Sequence, residues 1–196
     1  MKWNNVAILV LSKIDFAVET TVFNCLRNYP SSYLVSKYPP EKGSALKNVE
    51  LAVGGILTSK LTLFSKLIIV AHGTHDTCGL YFPGLLAVYL NYLGVRKVGL
   101  ISFKVCSIGE GLFLETFAHE CIKYNIEFGW CLGYRGSVHS YRNHLALCDS
   151  TMDNILRLVS FGQLKLSDDQ RVKVVRGAAL LPDPFCAKLG RRFANK

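Results

Sequence analysis

The sequence predicts an α/β fold: a three-layer sandwich with a mostly parallel central sheet and helices on both faces. Three observations lead there. Residues 6–11 and 67–71 are continuous apolar runs of strand length and 98–105 is a mostly apolar one, the pattern of strands covered on both faces. Segments with helical spacing separate them, and strand–helix alternation is the signature of a parallel sheet. The chain has 196 residues, half of them apolar, which is enough for one domain with a sizeable core. Residues 1–196 therefore read as a single domain, with a core over about 5–148 and a less regular basic tail over 149–196.

Taken in order, residues 6–11 form the first strand. Asp15 caps a helix that runs to about residue 28, with Glu19 near its positive end. Residues 33–37 are a short second strand stopped by Pro39-Pro40. Ser44 is positioned to cap a second helix, with Leu46, Val49, Val53 and Leu57 at helical spacing. Gly54-Gly55 weakens that helix, since each glycine costs about 1 kcal/mol against alanine. Residues 67–71 are the third strand. Pro83 suits the first turn of a helix ending near Gly94, and residues 98–105 are the fourth strand. Phe113, Phe117, Cys121 and Tyr124 make the apolar stripe of the next helix, and residues 126–132 the fifth strand. Beyond Gly133 the pattern loosens: a hairpin over 137–141 and 145–148, a helix from Ser150 to Ser160, and a last strand over 171–175. There is no repeat, low-complexity tract or interdomain linker.

Seven cysteines cannot all pair, and their spacings form no framework, so they read as reduced thiols in a reducing compartment. Cys25, Cys121, Cys131 and Cys148 lie in apolar patterns and read as small buried hydrophobes. The stretch over 6–11 is too short to span a membrane and lacks a signal-peptide cleavage site. The expectation is a chain made in, or delivered into, a cytosol. A net charge of +9 favours an anionic partner: nucleic acid, an acidic membrane or a polyphosphate.

Two strand ends carry the chemistry. The third strand runs into His72-Gly73 and the fourth into Cys106-Ser107. Consecutive parallel strands joined by a right-handed crossover are commonly neighbours, so both side chains reach one sheet edge, the edge where ligands bind in open α/β sheets. A thiol and an imidazole there can cut an acyl bond. The turn over 107–111 and the helix after it offer backbone N–H groups to a thiolate and a developing oxyanion. Gly73 lets its own N–H approach a substrate closely.

These steps resemble clan CD cysteine peptidases, the group of caspases, gingipains and separase. The likeness is nearest to the inositol-hexakisphosphate-activated cysteine protease domains of RTX-type and large clostridial toxins. It covers about residues 5–148. Residues 28–35 are similar to the family's passage from first helix to second strand. Gly79 with Leu85-Leu86-Ala87-Val88 is similar to the segment after the family's His-Gly. Tyr134-Arg135-Gly136-Ser137 and Tyr141-Arg142-Asn143-His144 are similar to the arginine-bearing steps after its fifth strand. The His-to-Cys interval is shorter here, and no motif matches the family's flap hairpin.

The resemblance implies a caspase-like fold and cleavage of peptide bonds, typically after leucine. Cys106 would be the nucleophile, His72 the proton carrier for the leaving amine, and the Gly73 and Cys106 amides the oxyanion donors. No third catalytic residue is required, and Asp76 is the nearby carboxylate available to orient the imidazole. No cofactor is needed for the chemistry. Inositol hexakisphosphate is implied as an allosteric activator, with Arg27, Arg135 and Arg142 as candidate ligands by motif and Lys173 and Arg176 joining from the tail. A free-standing enzyme acting in trans, such as a bacterial effector delivered into a host cell, fits a chain that starts at Met1. Three other readings stay open. His72, His75, Cys78 and Cys106 offer soft ligands for a metal. The positive charge suits a nucleic-acid binder on the same scaffold, although no recognition motif is present. An inactive relative serving as an adaptor would carry the same residues.

Overall fold

The computed structural model describes residues 3–46, 48–58, 60–141, 144–147 and 172–181. Strand β1 (Asn5–Val10) leads into helix α1 (Phe16–Asn28), then β2 (Tyr33–Ser36), β3 (Glu50–Leu51) and β4 (Ser65–Val70). Helix α2 (Pro83–Tyr92), β5 (Lys97–Lys104), α3 (Phe113–Lys123) and β6 (Glu127–Tyr134) follow. A two-stranded hairpin, β7 (Val138–Tyr141) and β8 (His144–Leu147), and strand β9 (Val172–Arg176) complete the described elements.

Seven strands form one sheet in the order β3-β2-β1-β4-β5-β6-β9. Every pair is parallel except β6 with β9. The expected α/β class with a mostly parallel sheet is therefore present, and so are its three layers. Side-chain alternation decides which layer each residue joins. Val6, Ile8 and Val10 of β1 and Ile68 and Val70 of β4 pack with Ile14, Val18, Val22 and Cys25 along α1. Ala7, Leu9, Leu67 and Ile69 point the other way, to Leu86, Ala87 and Leu90 of α2 and Phe113, Leu114 and Phe117 of α3.

The caps follow sequence chemistry. Asp15 accepts a hydrogen bond from the Val18 amide at 3.0 Å, so α1 starts where a short polar side chain can satisfy a free N–H. Pro83 opens α2, and Gly94 turns out of it with φ +84. Cys25, Cys121 and Cys131 are buried as expected, and the five described cysteines are free thiols. Cys148, Arg142 and the expected helix over 150–160 lie outside the described residues.

One expected helix is absent. After Ser44 the chain forms the two-residue strand β3 and then turns. The reason lies at Gly55, which adopts φ +78, outside the helical region. Its N–H bonds the Tyr92 carbonyl at 3.0 Å, and the Leu57 N–H bonds that of Leu93 at 2.8 Å. The segment thus caps the end of α2 and buries Leu57 in the core without coiling. The last strand expected over 171–175 is present as β9, which pairs antiparallel with β6 and carries the sheet beyond the core boundary at residue 148.

Candidate active site

Strand β4 lies between β1 and β5, with Val70 opposite Val10 on one side and Lys104 on the other. Two residues further along, His72 and Cys106 stand at the carboxyl ends of hydrogen-bonded parallel neighbours. Both continue the even-numbered set of their strands; in β4 that set, Ile68 and Val70, faces α1, and the register pairs it with Ser102 and Lys104 of β5. Their hydrogen-bond partners place them there too. His72 bonds Asp15 at the start of α1, and Cys106 bonds Val138 of β7, the hairpin strand that packs on α1.

Cys106 is half-buried. Its Sγ accepts from the Val138 N–H at 3.3 Å, which orients the thiol. Ser107 next to it takes φ 56, a left-handed backbone unusual for a residue with a side chain and costing on the order of 1–2 kcal/mol. The Ser107 N–H bonds the Gly136 carbonyl at 2.7 Å and the Gly109 N–H bonds that of Tyr134 at 2.8 Å, so the loop is pinned to the end of β6. Of the described cysteines the other four are buried, and desolvation pushes their thiols up, holding them protonated. Accessibility singles out Cys106.

The backbone N–H of His72 donates to Ser12 Oγ at 3.0 Å. Its Nε2 lies 2.7 Å from Asp15 Oδ2, with both side chains about half exposed at 56% and 53%. That pairing leaves Nδ1 as the ring nitrogen able to exchange a proton with a substrate. Burial alone would push the Asp15 carboxyl up. The Val18 amide and the His72 ring outweigh it and hold the carboxyl below its ordinary value. Asp15 is the site residue that sequence reasoning missed: its capping role accounted for it fully. Asp76, the carboxylate expected to orient the imidazole, instead pairs with His75 at 2.9 Å. It sits four residues after His72, in a turn that carries it away from the ring.

Gly73 is fixed by packing. It forms an antiparallel bridge to Cys78, held by bonds from the Thr74 N–H to the Thr77 carbonyl and from the Gly79 N–H to the His72 carbonyl. Those bonds flank Gly73, so its own N–H points away from Cys78. A Cβ at Gly73 would lie 2.3 Å from the Thr77 oxygen and 2.4 Å from Val105 Cγ1. Gly73→Ala is expected to destabilise the fold by about 1–3 kcal/mol through overpacking, read as a lower thermal unfolding midpoint. An unchanged midpoint would contradict this packing.

Of the described basic candidates, Arg27 stands apart, whereas Arg135, Lys173 and Arg176 lie on or just beyond the paired strands β6 and β9. Arg27 lies in the last turn of α1, the end away from Asp15. Arg135 is exposed in the step from β6 to β7, just beyond the end of β6 that pairs with β9. Lys173, 16% exposed, pairs with Glu115 at 2.6 Å and donates to the Gly111 carbonyl at 2.7 Å. Arg176 sits over the Trp130 ring at 5.9 Å. The metal reading finds no common centre either: Cys78 is fully buried, and His72 and His75 face Asp15 and Asp76. Among the described residues no group of three His, Cys, Asp or Glu side chains is placed to hold a metal ion. No helix among them is long and apolar enough to cross a membrane.

In chemical terms two adjoining strand ends carry a half-buried thiol and an imidazole held by a carboxylate. No protein-family model matches the chain, and no curated protein matches its sequence.

Proposed function

We propose that this protein is a caspase-like cysteine endopeptidase, with Cys106 as nucleophile, His72 as proton carrier and Asp15 as the group that positions His72. The observation that carries this reading is the pairing of β4 with β5, which sets His72 and Cys106 at adjoining strand ends on one face. The sulfur's hydrogen bond is to Val138 and the ring's is to Asp15, so the two need not form an ion pair before substrate arrives.

The reaction balances with these groups alone. The thiol passes its proton to His72 as sulfur attacks the scissile carbonyl, and a carbon–sulfur bond forms. The oxyanion is met by the Gly73 and Cys106 amides. The carbon–nitrogen bond then breaks, and the imidazolium gives its proton to the departing amine. Water, losing a proton to His72, cleaves the thioester; the product acid leaves and the thiol is restored.

The proposed substrate is a polypeptide cut after leucine. Inositol hexakisphosphate is the proposed activator, although Lys173 and Arg176 already have partners within the protein. The test is covalent labelling by a peptidyl electrophile bearing leucine next to the warhead, with and without inositol hexakisphosphate. Mass mapping of the adduct to Cys106 is expected. An unlabelled protein in both arms, or an adduct on another cysteine, would remove the reading.

A further inference from the structure

His72 has Cys106 on one side and the end of β1 on the other, because β4 lies between β5 and β1. A peptide with its scissile carbonyl over Cys106 must put the leaving nitrogen beside His72. The departing side of that peptide then runs past His72 toward β1. A cleft of about 490 Å³ lies there, lined by Leu11, Lys13, Tyr38, Thr77 and Leu80 together with His72 and Gly73.

The cleft has an uneven lining. Leu11 is buried at its base and Leu80 is exposed at its rim. Lys13 is exposed beside them. The carboxylate of Asp15, two residues beyond Lys13, is hydrogen-bonded to His72 and is not among the residues that line the cleft. The cationic side chain that the described lining offers to an incoming residue is that of Lys13.

We propose that this cleft is the first subsite on the departing side and that it selects an acidic residue immediately after the scissile bond, recognised by Lys13. The inference rests on the cysteine-peptidase reading above and narrows the substrate class of that site. Specificity arises from both signs: glutamate gains an ion pair at Lys13, whereas lysine in the same place meets a like charge.

The experiment uses two fluorogenic peptides, identical through leucine and continuing with glutamate or lysine, competed against each other on the full chain. The wild type is expected to prefer glutamate by roughly 5- to 10-fold in kcat/KM, the scale of one exposed ion pair plus one clash. Lys13→Glu is expected to reverse the order. Equal turnover, a preference that Lys13→Glu does not move, or selection of a large apolar residue in place of glutamate would overturn the assignment. A peptidyl electrophile with nothing on the departing side is run on the same preparations. Labelling of Cys106 with flat selectivity defeats the subsite alone; absence of both labelling and cleavage defeats the peptidase reading and the subsite with it.

Discussion

Cys106→Ala is expected to lower peptide cleavage by at least about 10⁴-fold, to the limit of detection, with the unfolding midpoint little changed. The loss is large because removing the nucleophile closes the covalent route, and what remains is binding and oxyanion stabilisation. The fold should tolerate the change. Cys106 sits in a loop after β5, outside the packed cluster of Phe103, Phe113 and Phe117, and only half-buried. Alanine at this position deprives the Val138 N–H of its sulfur acceptor and leaves that aromatic cluster as it was. Cleavage in a parallel assay together with far-ultraviolet circular dichroism separates the two effects. A variant that still turns over substrate at more than about a hundredth of the wild-type rate would exclude Cys106 as the nucleophile.

His72→Ala is expected to cost about 10²- to 10⁴-fold, the usual worth of a positioned acid–base group. Asp15→Asn is the sharper companion experiment. Asparagine caps a helix as well as aspartate does, so the start of α1 should survive, whereas the charge facing the imidazole is removed. A positioning role predicts a loss of up to about 10²-fold in kcat with KM nearly constant, because the ring is misplaced while the groups that bind substrate stay in position. A change in KM alone would argue against it. The sign with pH is fixed by the direction of the Asp15 shift. Its carboxyl is held below the ordinary value, so it stays ionised at and above about pH 4. The Asp15–His72 pair should thus persist across that range and weaken as pH falls through the lowered value. Combined with His72→Ala, the Asp15→Asn change should add little, since the two act as one unit.

The sheet was legible because its inner strands are continuous or mostly apolar runs, and β1, β4 and β5 are buried on both faces as those runs require. Caps were legible where one side chain does the work, as at Asp15 and Pro83. The segment after Ser44 misled for a physical reason. Its apolar spacing is helical, yet only Leu46 and Leu57 of that set are buried, and Gly55 leaves the helical region to dock on α2. The strand-end residues His72 and Cys106 could be read from sequence because chain direction alone puts them at the same edge. The Asp15–His72 pair could not, because it depends on β1 being the neighbour of β4, and strand order is not written in local pattern. Charge composition likewise says nothing of direction, and Arg27 and Arg135 end up in different parts of the molecule.

The clasp made by Lys173 reaches back 62 residues to the Gly111 carbonyl, and its ion pair with Glu115 ties the same strand to α3. A growing polypeptide emerges amino end first, so the thiol-bearing turn exists on the ribosome well before the edge strand that steadies it. The molecule consequently acquires its full architecture around that turn only once residues 172–176 have emerged.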